Sequence, residues 1–250
     1  MIAGLDLMPE GMETGVFLFL VATSFAGSFI TVAFGIGGGG LLLAVMATLV
    51  PVSALIPVHG MIQTGSNAGR FFMLIRQVFW QALPWFTLGT LVGCAVGGLI
   101  VVELPASTVQ IGVGAFVIYT VFARSPEWLK NFPFLTGLIS SFLTMFFGAT
   151  GLFVASFTKS HRLPRHEHVA THAALMTVQH LLKVVVFGFL GFSFGVWGGF
   201  VVVMILAGLL GTLIGRLFLD RFNDVWFRRA LDTILVLISA RLILAGLGLI

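Results

Sequence analysis

The sequence predicts an all-α polytopic membrane protein made of two inverted repeats, each a glycine-broken or re-entrant helical hairpin followed by three transmembrane helices. Three observations carry that prediction. The first is composition: hydrophobic residues make up 58% of the 250, charged residues 9%, and the mean hydropathy is +1.11. A soluble domain carries roughly 25% charged residues. The second is an internal repeat. Ser28, Phe29, Thr31, Phe34, Gly35, Gly38, Pro51, His59 and Thr64 return 113 positions later as Ser141, Phe142, Thr144, Phe147, Gly148, Gly151, Pro164, His172 and Thr177. These are nine identities in 37 ungapped positions, against about two or three expected by chance, and self-similarity at a fixed offset marks repeat architecture. The match resumes at an offset of 118, with Leu88, Gly93 and Gly97 on Leu206, Gly211 and Gly215. The third is the distribution of charge, most of which lies in short loops between apolar segments. The repeats divide the chain at 1–130, with the acidic N-terminal segment, and 131–250, within one integral membrane domain.

Apolar windows fall at 14–34, 38–50, 53–73, 79–102, 106–123, 133–147, 149–158, 168–188, 195–216 and 229–249. Most approach the roughly 20 residues that cross the hydrocarbon as a helix. The segments 38–50, 133–147 and 149–158 are too short for a comfortable crossing, and each short pair straddles a glycine cluster, Gly35–Gly40 or Gly148–Gly151. A hairpin that returns to its side of entry, plus three crossings, is an odd number, so the second repeat is inverted. The N-terminus carries Asp6, Glu10 and Glu13 and no Lys or Arg. A secretory n-region is positive, so the first segment is expected to remain in the mature protein.

Charge gives an independent check on the parity. With both termini outside, Arg70, Arg76, Arg124, Lys130, Lys159, Arg162, Arg165, Arg216, Arg221, Arg228 and Arg229 all fall inside, eleven of the thirteen basic residues. Glu103 falls in an outer turn. This is the positive-inside bias, and it accounts for the net charge of +4 without nucleic acid. Single Cys94 argues against a disulfide framework or a thiolate cluster. Lys183 and Arg241 remain as cations within predicted spans; Arg70, at a span end, is read as snorkelling to the basic side.

Two features could carry chemistry. Glycines let a backbone reverse inside the bilayer, and such backbone is tolerated only inside protein or along a cavity. Exposed N–H groups at a half-helix start favour an anion. Gly37, Gly38 and Gly39, with Gly148 and Gly151 in the second copy, are therefore candidate anion contacts. Surplus glycine at Gly38 reads as room for an oxyanion, whereas Gly93, Gly97, Gly211 and Gly215 read as close helix packing. The second feature is a polar stripe at helical spacing, His59, Gln63, Ser66, Asn67 and Arg70. The repeat supplies His172, Gln179, His180 and Lys183, with Met176 in place of Gln63. A polar stripe in lipid should face the bundle interior or a wet cavity. Asp232 is the only acid in a predicted span, so an anionic substrate fits better than a cation. A zinc reading of His168 and His172, one turn apart, lacks a closed ligand set. His59, His172 and His180 could instead take up protons near neutral pH.

The run FGIGGGGLLL at 34–43, the stretch Pro51–Asn67 with His59, and the weaker copy FGATG at 147–151 with Pro164 and His172 resemble the sulfite exporter TauE/SafE family, also called the toluene sulfonate uptake permease family. The resemblance covers residues from about 14 to the end. It implies a bacterial inner-membrane carrier of sulfite, thiosulfate, sulfonates or other small organic anions. The reduced second glycine run implies that the half-sites bind unequally. The resulting expectation is a secondary transporter of a small anion, with the site at the repeat interface and protons as a possible coupling ion. It calls for no cofactor, metal or enzymatic step. The alternatives are a passive anion channel and a membrane enzyme with a His-bound metal.

Overall fold

The computed structural model describes residues 7–35, 37–101, 105–122, 131–148, 150–218 and 225–249. Glu103, Arg124, Lys130, Arg221 and the side chain of Arg228, all used in the orientation argument, lie outside the described residues. The described residues form ten α-helices and no strand: α1 (Thr14–Phe34), α2 (Gly38–Leu49), α3 (Val52–Met73), α4 (Leu83–Ile100), α5 (Ala106–Phe122), α6 (Pro133–Phe147), α7 (Gly151–Ser160), α8 (Arg165–Phe189), α9 (Gly198–Arg216) and α10 (Val225–Gly246). Among the described residues, four stretches are long and apolar enough to cross a membrane: Thr14–Phe34, Trp80–Ile100, Arg165–Phe189 and Gly195–Arg216. Leu18, Phe19, Leu91, Leu99, Leu206 and Leu210 are exposed on α1, α4 and α9. Large apolar side chains on an outer surface suit a lipid solvent. The chain is an all-α polytopic membrane protein.

The breaks fall where the glycines predict. Gly35 and Gly148 end α1 and α6 at φ +89° and +73°, in the left-handed region open to glycine. After the turn, α2 and α7 begin at equivalent glycines, Gly38 and Gly151. α3 and α8 then each start behind a proline in extended conformation, Pro51 and Pro164. Proline cannot donate into a preceding ladder, and its fixed φ suits entry to a helix. α8 starts three residues before the apolar window, because Arg165, His166 and Glu167 wind into its first turn.

Helix partners are exchanged between the halves. α1 packs on α9 and α6 on α4, while α3 packs on α8 and α5 on α10. The glycine pairs expected to serve packing do so. A Cβ on Gly89 or Gly93 would stand 2.0 or 2.3 Å from the backbone oxygens of Phe134 or Leu138, and one on Gly211 2.2 Å from that of Phe25. These helix backbones touch, which maximises dispersion contact where lipid leaves no hydrophobic drive between helices. The crossings bring α3 and α8 together at the centre, with the tips of both hairpins against them.

Candidate functional site

A cavity of about 30 Å³ lies where the two hairpin tips meet α3 and α8. α3 contributes His59, Gln63 and Asn67, and α8 contributes His172, Met176 and His180. Each set follows i, i+4, i+8, one ridge of a helix, and the two sets occupy equivalent repeat positions. The hairpins add Thr31, Gly37, Gly39 and Gly40 from the first half, and Gly148 and Gly151 from the second. No carboxylate lines this cavity among the described residues.

Each half fixes its hairpin by the same bond. The His59 ring donates from Nε2 to the Gly39 carbonyl at 3.1 Å, and the His172 ring from Nε2 to the Gly151 carbonyl at 3.0 Å. A carbonyl can only accept, so both rings carry a proton on Nε2. The His59 Nδ1 is buried without a partner, as is the Nδ1 of His180, and the two rings meet edge to face at 5.8 Å.

On α3 the polar side chains form a directed chain. The Arg70 guanidinium donates from Nη1 to Asn67 Oδ1 at 3.0 Å, and Asn67 Nδ2 donates to Gln63 Oε1 at 2.9 Å. Arginine has donors only, so it fixes the Asn67 amide, which in turn fixes Gln63. The Gln63 Nε2 end is thereby turned outward as a donor beside the hairpin. A Cβ on Gly39 would stand 3.1 Å from it. The result is a donor-rich lining backed by a buried cation, an arrangement that attracts negative charge.

A family model described as sulfite exporter TauE/SafE matches residues 19–242. The chain belongs to the sulfite exporter TauE/SafE family. No curated protein and no solved structure matches it. TauE/SafE membership makes it a multi-pass membrane transport protein.

Of the twelve residues singled out in this TauE/SafE chain, nine line the cavity: Gly37, Gly39, His59, Gln63, Asn67, Gly148, Gly151, His172 and His180. Gly38, Gln179 and Lys183 do not. The reason for a glycine at 38 is a helix crossing rather than a ligand. A Cβ there would stand 1.6 Å from the Gly27 carbonyl oxygen, so the α1 backbone occupies the space assigned to an oxyanion. Gln179 is fully buried and donates from Nε2 to the Ser140 carbonyl and to Thr150 Oγ1, which ties α8 to α6 and the second tip. Lys183 is also fully buried, with its Cε against Gly60 and its Nζ lacking a partner.

One further expectation is corrected. Arg70 does not snorkel: it is 2% exposed and ends on Asn67. Arg241, the other cation in a predicted span besides Lys183, is exposed on α10. Sequence reasoning also passed over three lining residues, Thr31, Gly40 and Met176. Thr31 and Met176 could have been found by following the repeat and the i+4 ridge, since Thr31 recurs as Thr144 and Met176 sits between His172 and His180.

Proposed function

We propose that this chain is a secondary transporter that carries sulfite, a sulfonate or another small organosulfur oxyanion across the bacterial inner membrane by alternating access. The observation that carries the reading is the central cavity: two hairpin tips and two polar ridges close around it, with amide and imidazole groups on its wall and no acid among the described residues. Substrate identity follows the family, whose model is described as a sulfite exporter. The exchange of partners between the halves supports residues 1–130 and 131–250 as inverted repeats about this cavity. The basic loop residues then face the cytoplasm and both termini the outside. Protons taken up by His59, His172 or His180 serve as the coupling ion.

The cavity volume explains why movement is needed. About 30 Å³ admits roughly two water molecules, fewer than the four heavy atoms of a sulfite. The hairpin tips therefore have to separate from α3 and α8 for substrate to enter. A ligand that binds only the folded state raises its melting midpoint. The purified protein, heated with sulfite, thiosulfate, taurine, sulfoacetate and carboxylate analogues, should be stabilised selectively by one or more of the sulfur compounds over the carboxylates, and less so after Asn67→Ala. Equal response to every anion in both proteins would contradict the proposal.

A further inference from the structure

Next to the central cavity, on the far side of Gly39 and Gln63, lies a second and smaller void of about 10 Å³. Its wall includes Ser24, Ser28, Thr31, Gly38 and Arg70. Arg70 is nearly fully buried; its Nη1 is used by Asn67, its Nε has no partner, and no carboxylate pairs with it among the described residues. A buried cation without a counter-charge is costly. Beside the two serines of this wall lies a third hydroxyl, that of Ser66, which is not part of the wall itself. Ser66 Oγ is buried and unpartnered, and a Cβ on Gly208 would stand 2.7 Å from it, 2.9 Å from Ser28 Oγ and 3.4 Å from Ser24 Oγ. Ser24 already donates to the Met204 carbonyl and Thr31 to that of Gly27, so Ser28 is the hydroxyl of the wall with a proton to offer.

The second half shows what the same frame holds when it is filled. The equivalent of Ser66 is Gln179 and that of Gly37 is Thr150. There the long carboxamide spans the space and bonds Ser140 and Thr150. In the first half both side chains are shortened, the cation is the longer arginine, and a void with free donors remains. We infer that this void binds one halide-sized inorganic anion, chloride in ordinary media, held by Arg70 and Ser28, with Ser66 just behind the wall, where a longer side chain would reach in. A space of about 10 Å³ is near the minimum for a single water-sized particle; a halide, slightly larger than water, enters as the side chains around it give by a few tenths of an ångström, whereas a four-atom sulfite or a sulfonate does not fit. The site is thus too small for the substrate, although it shares Thr31, Gly39 and Gln63 with the wall of the central cavity.

The test compares melting midpoints of the purified protein in chloride, bromide and gluconate at equal ionic strength, without organosulfur substrate. Chloride and bromide should raise the midpoint by several degrees over gluconate, saturably. Ser66→Gln, which copies the filled second half, should abolish that difference, as should Arg70→Gln. Crystals grown in bromide should give an anomalous peak beside Arg70. Identical midpoints in all three salts would overturn the inference, showing that the void holds only water. So would a halide effect that survives in Ser66→Gln, which would place the ion elsewhere. If Arg70→Gln fails to fold, the wild-type salt comparison, Ser66→Gln and the bromide peak still decide. Loss of organosulfur binding has no bearing on these readouts, so the two proposals fail separately.

Discussion

Three consecutive glycines, Gly38, Gly39 and Gly40, meet different surroundings, and alanine at each should have a different result. At Gly40 a Cβ would meet nothing within 4 Å, yet the residue lines the central cavity. Gly40 lies in the first turns of α2, and replacing a helical glycine by alanine stabilises by about 0.5–1 kcal/mol. For a chain of this size that is a rise of about 1–4 °C in melting midpoint. The new methyl is about the size of a water and so removes about half of a cavity that holds roughly two. Gly40→Ala should therefore fold at least as well as wild type and lose tenfold or more in substrate affinity, about 1.4 kcal/mol. At Gly38 the Cβ would stand 1.6 Å from a backbone oxygen of α1, which cannot swing aside. Gly38→Ala should cost about 3 kcal/mol or more as the α1–α2 crossing is forced apart. At Gly39 the Cβ would press on the Gln63 amide at 3.1 Å, a flexible group, and an intermediate loss of both properties is expected. The assay is a melting curve and a binding titration on each variant. Wild-type affinity in Gly40→Ala, or wild-type stability in Gly38→Ala, would refute the assignment of cavity and crossing.

His59→Ala and His172→Ala, which each remove one imidazole-to-carbonyl bond, should cut transport tenfold or more for about 0.5–1.5 kcal/mol of stability; similar losses of fold and activity would mark the rings as packing links. Gln179→Leu should do the reverse, costing about 1–3 kcal/mol by stranding Thr150 and Ser140 while leaving substrate affinity within threefold, and a large affinity loss would return Gln179 to the site. Lys159, exposed at the end of α7, tests orientation: a Lys159→Cys protein, with Cys94 buried and quiet, should react only with a membrane-permeant thiol reagent. Labelling of intact cells by an impermeant reagent would reverse the topology.

The frame of this fold was legible because its signals are local. Glycine at a positive φ, proline ahead of a helix and polar side chains at helical spacing are short-range constraints that a sequence displays directly. What stayed hidden depends on helix rotation and on crossings. His59, Gln63 and Asn67 face the cavity while Ser66 and Arg70, on the same helix, turn toward α1 and α9, a division that depends on the tilt of α3. Spacing places Gln179 and Lys183 in line with His172 within about 20° of helical rotation, yet the cavity follows the other ridge through Met176. Gly38 looked like room for a ligand because glycine marks close approach without naming the visitor, here the Gly27 backbone. Arg70 looked like a surface cation because its position near a span end is the same whether it snorkels or turns inward to Asn67.

Counterflow tests the central claim most directly, because only a carrier with a saturable central site exchanges substrate across the membrane without a net gradient. Proteoliposomes loaded with millimolar unlabelled sulfite and diluted into trace radiolabelled sulfite should accumulate label transiently above equilibrium. Vesicles without internal sulfite should show little. Gly40→Ala should abolish the overshoot at the same protein content. Label that enters at one rate with or without internal sulfite, in proportion to external concentration, would contradict the account and establish a passive pore.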